Sequence, residues 1–157
     1  MSEIVVNEWL LHYMAPGSKD IYFPDRFLDF VQSKSLPIVI KRPSPFTDKY
    51  FRFCKVLKKL KPLYGKRLFL EMNDSNKVRL VKPEDILLLP AEIENLFQKV
   101  LVKEDDRYLV ELVCSIPTSV LVTTDNPLVN ALKPYCGDRV QLLPDFCRGI
   151  GLAPPAQ

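Results

Sequence analysis

Three short aliphatic runs constrain this chain more than any other feature: Ile4-Val5-Val6, Ile38-Val39-Ile40 and Val120-Leu121-Val122. Each is rich in β-branched residues, does not alternate with polar ones and is too short for a helix, so each reads as a buried strand. The residues between them recur at helical spacing. Strands separated by helices need crossover connections, and crossovers give a mainly parallel sheet. The expected fold is therefore an α/β, three-layer α/β/α sandwich. A chain of 157 residues suits one such domain. Its expected extent is 1–152, with 153–157 as a frayed tail.

The helices are bounded by turn residues. Trp9, Leu10, Tyr13 and Met14 share one face before Ala15-Pro16-Gly17 stops the first helix. Phe27 to Val31 suggest a second helix. A third spans Thr47 to about Lys61, with Pro62 as its stop. Arg67–Glu71 and Val78–Val81 flank the turn-rich Asn73-Asp74-Ser75-Asn76, which fits a hairpin or an irregular segment. Helix starts are expected at Pro83-Glu84-Asp85 and Pro90-Ala91-Glu92, the latter continuing through Ile93, Leu96, Phe97 and Val100. Another helix opens at Asp105-Asp106, Leu128–Leu132 is a short one, and Val140–Leu143 is a last strand.

Charge is unevenly placed. Residues 41–67 hold ten Lys or Arg and one acid, whereas 71–111 hold ten acids and six bases. Within the basic segment, Arg42, Lys49, Arg52, Lys55 and Lys59 are candidates for phosphate contacts, although lysines also simply solvate a helix face. Apolar runs are far shorter than the ~20 residues of a membrane helix, and the start of the chain lacks a basic n-region, so a cytoplasmic protein is expected. The four cysteines form no C-x-x-C pair and the one histidine, His12, is remote from them in sequence, which argues against zinc and for free thiols. No glycine-rich phosphate loop or nucleophile elbow is present. His12 reads as structural.

Ligands of open parallel sheets bind beyond the carboxyl ends of the strands. The polar residues expected there are Asn7 and Glu8 after the first strand, Arg42, Ser44 and Asp48 after the second, and Thr123, Thr124 and Asp125 after Val120-Leu121-Val122, with Asp105 and Asp106 at a helix start. Converging carboxylates repel unless a cation lies between them, and all-oxygen donors suit Mg²⁺ or Mn²⁺. A hard metal beside a basic surface suits phosphodiester hydrolysis. Each acid has a plainer alternative: Asp125 as a helix N-cap, Asp105 and Asp106 as helix-dipole acids, Glu8 as a surface residue.

The stretch DDRYLVELVCSIPTSVLVTTDNPL resembles the "DDxFLxLA…ADYLVTGDxDL" pattern of the PIN domain, a family of metal-dependent ribonucleases. Asp105, Asp106, Leu109, Leu112, Leu121, Val122, Thr123, Asp125 and Leu128 fall at matching positions. IVVNEWLL is similar to "VVLDTNVL", and IKRPSPFTDKYF to "SPxxxxEL". The resemblance implies a Mg²⁺- or Mn²⁺-dependent endoribonuclease, as in small toxins paired with an antitoxin, and a possible homodimer. Asp105 and Asp125 would bind the metal, helped by Asp106 and Glu8, while Asn7 and Thr123 would orient water or ligand. Asn7 stands where the first family aspartate is expected and Tyr50 where the glutamate is. Two missing acids lower the formal charge, so the alternative is a degenerate PIN-like domain that binds RNA or a protein partner without cleavage.

Overall fold

A computed structural model describes the backbone of residues 1–60 and 66–156, with side chains described except at 56–60, 66 and 69. Five strands form one all-parallel sheet: β1 (Glu3–Val6), β2 (Ile38–Lys41), β3 (Val78–Val81), β4 (Ser119–Thr123) and β5 (Val140–Leu142). Their order is β3-β2-β1-β4-β5. The central strand β1 pairs Ile4 with Ile38 on one side and with Val120 on the other. Chain order runs outward from β1 to β3, then returns to the opposite side of β1 for β4 and β5. The carboxyl ends of β1 and β4 therefore border the point where direction reverses, and loops diverge there to leave a crevice.

Helices α1 (Trp9–Met14) and α2 (Phe23–Ser33) link β1 to β2, and α3 (Pro45–Leu60) and α4 (Lys66–Glu71) link β2 to β3. The return path uses α5 (Ala91–Gln98) and α6 (Arg107–Ser115), then α7 (Asn126–Cys136) joins β4 to β5 and α8 (Leu143–Ile150) follows. Right-handed crossovers put the outward helices on one face and the returning ones on the other. Phe146 of α8 lies 6.4 Å from Phe27 of α2, which returns α8 to the first face. The core is continuous through the sheet. Ile4, Val5 and Val6, and Val120, Leu121 and Val122, are all buried, as strands covered on both sides must be. Trp9 packs edge-on to Phe27 at 5.1 Å, and its indole N–H donates to the Val122 carbonyl at 2.8 Å. That bond ties α1 to the tip of β4.

The expected α/β sandwich and its parallel sheet stand, and several local expectations are corrected. Residues 67–81 are not a hairpin: Lys66–Glu71 is helical and Val78–Val81 pairs in parallel with β2. An i,i+4 ion pair between Arg67 and Glu71 at 2.7 Å supports the helix, and Asp74 turns the chain with its carboxylate on the Asn76 N–H. Pro83–Asp85 makes one 3₁₀ turn, not a helix, because the apolar residues after it have no helical face to bury. Val100 lies beyond α5 with φ +57°, exposed to water. Leu143 is not strand; it opens α8, with Pro144 in the first turn where the missing N–H costs nothing. The expected helix stop at Pro62 lies outside the described residues. Near the chain end Pro155 is buried and the Ala156 N–H reaches Asp20 at 3.1 Å. Among the described residues no helix is long and apolar enough to cross a membrane.

Candidate functional site

The crevice at the tips of β1 and β4 is a cleft of about 510 Å³. Five carboxylates line it: Glu8, Asp48, Asp105, Asp106 and Asp125, with Asn7, Thr124 and the edge of Trp9. Arg52 and Lys103 are the cations on the wall, and His12 stands at the rim. Acids thus outnumber fixed cations. The segments come from four separate places in the sequence, gathered because β1 and β4 are sheet neighbours and α3 and α6 start at the same edge.

A hydrogen-bonded brace sets the floor. Asn7 donates from Nδ2 to Thr123 Oγ1 at 2.6 Å, while its Oδ1 accepts from the Trp9 N–H at 3.2 Å. Thr123 Oγ1 also accepts from the Asp125 N–H at 3.1 Å. Thr123 is buried, and with both lone pairs occupied its oxygen braces the loop instead of meeting a ligand; Thr124 is the threonine that lines the cleft. Asp125 does cap α7, its Oδ1 accepting from the Leu128 N–H at 3.2 Å. The other carboxylate oxygen is not part of that bond, so cap and ligand are compatible roles.

The acids differ in environment. Asp106 is half-buried and Asp105 exposed. Burial, then the negative charge of Asp125, Glu8 and Asp105, holds the Asp106 carboxyl above the usual carboxylate range, with Lys103 opposing. So of the adjacent pair, Asp106 is the one enclosed in the site's field. Glu8 accepts an ion pair from Lys49 Nζ at 3.0 Å, and the same ammonium lies 2.7 Å from His12 Nε2. His12 is exposed on α1, and partial desolvation and then the charge of Lys49 lower its pKa, with Glu8 opposing.

On α3 the helix phase decides which residue faces the cleft. Ser44 and Thr47 exchange backbone-to-hydroxyl bonds at 2.9 and 3.3 Å, and Pro45 occupies the first helical position. This phase buries Phe46 and Tyr50 and leaves Asp48 and, one turn on, Arg52 on the cleft. Tyr50 is fully buried beside Cys54, and desolvation pushes its phenol well up, so it supplies no anion to the site. Among the other basic candidates, Lys55 is exposed and Arg42 stacks on Phe51 at 5.3 Å; the Lys59 side chain lies outside the described residues. Lys103 was missed by sequence reasoning, and its place just before Glu104-Asp105-Asp106 was the available signal.

The donor set is all oxygen and suits a hard cation. Among the described residues, however, no three His, Cys, Asp or Glu groups stand close enough to hold one ion, so Glu8, Asp105 and Asp125 do not form a ready-made cage. Mg²⁺ commonly keeps several waters and takes only one or two carboxylates together with substrate phosphates, and a cleft lined by several separate carboxylates is that open kind of site. No family model, no curated protein and no solved structure matches the chain.

Proposed function

We propose that this chain is a PIN-like, Mg²⁺- or Mn²⁺-dependent ribonuclease domain. The observation that carries the reading is the excess of carboxylates in one cleft at the β1–β4 reversal point, where burial and then the charge of Asp125 raise the proton affinity of Asp106. Asp106 and Asp125 would hold the cation, with Glu8, Asp48 and Asp105 adding charge around it. Asp48, not Tyr50, is the acid that α3 contributes. When bound, the cation supplies an ionised water at neutral pH and neutralises charge on a phosphodiester. Arg52 and Lys103 attract the phosphates of an RNA strand. Asn7 and Thr123 keep Asp125 aimed, and buried Trp9 closes the inner wall against bulk water.

A second reading is favoured by Asn7 and by the Lys49–Glu8 pair. An amide and an internal ammonium both lessen the pull on a divalent cation. In this reading the domain binds RNA, or a protein partner, without cutting.

One experiment separates them. A labelled RNA is incubated with the chain over a Mn²⁺ series, beside Asp106→Asn. Metal-dependent cleavage lost in the variant supports the first reading. Salt-sensitive RNA binding with no cleavage at any metal concentration supports the second. Equal cleavage by both proteins, or neither binding nor cleavage between ~50 and 200 mM salt, rejects both. Asn7→Asp provides a gain-of-function arm. It adds a carboxylate to the cleft floor and is expected to lower the Mn²⁺ concentration needed for half-maximal effect by about tenfold, the size of one good charge contact.

A further inference from the structure

The wall of the cleft continues outward along α3 as a basic strip with one bare aromatic ring. The helix phase that buries Phe46 and Tyr50 turns Phe51 outward, and Phe51 is 38% exposed. The Arg42 guanidinium lies over that ring, 5.3 Å from its centroid. Arg42 directly follows β2 and is fixed at the rim by its backbone, its N–H donating to the carbonyl of Val81 at the end of β3 at 2.9 Å. Arg52, next to Phe51 in the chain, lines the cleft, and Lys55 stands exposed one turn on from Phe51. These cations differ from the others in what they lack. Arg26, Arg67, Arg79, Arg107 and Arg148 each hold a carboxylate, and Arg139 holds carbonyls. Among the described residues Arg42, Arg52 and Lys55 make no ion pair. A lone exposed ring is ordinary on a protein surface. A ring edged by uncompensated cations is the combination that takes a base and its phosphates.

We propose that Phe51 and Arg42 form a stacking subsite for an unpaired base of an RNA strand, whose neighbouring phosphates lie on Arg52 and Lys55. This rests on the reading of the cleft as an RNA site and adds the form of the substrate: the strand is single where it crosses α3. Asp48, one turn back on the same helix, marks the cleft end of the strip, so Arg52 carries the phosphate nearest the carboxylates. The face of a base stacks on an aromatic ring and on a guanidinium, which is planar and weakly hydrated. In a duplex both faces of a base are already covered by its neighbours, and the ring gains nothing there. One ring also offers far less apolar area than the ~800 Å² per side of a stable protein interface, whereas it matches one base.

The test uses the full chain in chelator, so that no strand is cut, and a short RNA carrying 2-aminopurine at each position in turn. The parent is expected to quench the probe at one position. Phe51→Leu should abolish that quench and weaken binding about tenfold with no change in salt slope, while Phe51→Tyr binds as the parent does. Arg52→Gln should instead lower the salt slope by about 0.7, the loss of one phosphate contact on a single strand. A strand lacking its base at the quenched position should bind the parent about tenfold more weakly and bind Phe51→Leu no worse than the parent. Duplex RNA should not distinguish Phe51→Leu from the parent. Arg42→Gln, on the other half of the subsite, should also weaken single-strand binding several-fold, and it keeps the test open if Phe51→Leu fails to fold. Single-strand binding unchanged in both variants, or a base-free strand weakened by Phe51→Leu as much as the intact one, overturns the subsite while leaving the RNA reading of the cleft standing. A parent that binds no strand at ~50 mM salt overturns both.

Discussion

Two aspartates in the cleft allow charge and structure to be separated at single positions. Asp125→Ala removes the cap of α7 and is expected to cost about 1 kcal/mol in urea unfolding. Asp125→Asn keeps an acceptor for the Leu128 N–H, so it should unfold within a few tenths of a kcal/mol of the parent while losing any divalent-cation effect. A fall as large as that of the alanine variant would mean that the charge, not the cap, holds the helix. Asp106 behaves oppositely. Its folded carboxyl binds a proton more tightly than the ordinary 3.8, so the folded state holds more protons than the unfolded one in the window just above that value. Stability from this group is full below 3.8 and is lost as pH rises through the raised value. Asp106→Asn should flatten that decline and unfold at slightly higher urea than the parent at pH 7; a lower midpoint there would contradict the burial and repulsion that raise its carboxyl. Asp125 was legible because a β-branched run ended on it. Asp48 was legible as a residue of the rim, but whether it or Tyr50 faces the cleft turns on the phase of α3: a shift of two residues chooses between them, and the Ser44–Thr47 exchange that sets the phase is read only when both hydroxyls are seen to meet backbone N–H groups.

Among the elements, the strands were the most legible and the short helices the least. The aliphatic runs of β1, β2 and β4 are sealed on both faces, so apolar side chains fill them and the sequence declares them. α4 is six residues long, too short for a periodic stripe, and its Arg67–Glu71 pair looks like any surface charge until Asp29 is found 2.7 Å from the same guanidinium. α8 starts directly on Leu143 where β5 ends, so no loop residue marks the change of period. Arg139 makes the opposite case: a single side chain acts as an element by satisfying carbonyls at the end of α6 and the start of β4. Replacing it with Met keeps the length but removes the guanidinium from the Val113 and Ser119 carbonyls, while Ile116 keeps the Ser119 N–H and hydroxyl, and is expected to cost about 1–3 kcal/mol in chemical unfolding. A change below about 0.5 kcal/mol, the ordinary scatter of surface substitutions, would show that water substitutes for the guanidinium.

At the scale of the molecule, the sheet order has a bearing on how the cleft comes to exist. β1 is one wall of the reversal point, yet one of its two neighbours, β4, pairs Val120 with Ile4 from the far end of the described sheet connections. A fragment ending at Pro117 has β1, β2 and β3 but lacks the strand that seals the other edge. It is expected to show fast amide exchange in β1 and a solvent-exposed Trp9 fluorescence spectrum, since the Val122 carbonyl that holds the indole is gone. A native-like Trp9 spectrum in that fragment would show that the first three strands fold alone. The timing during synthesis follows from the same pairing. At ~5–20 residues per second, β1 leaves the ribosome on the order of 6–20 s before β4 exists to cover it. For that interval its hydrogen-bonding edge is open, and a chaperone that binds extended aliphatic segments has its natural target in Ile4-Val5-Val6.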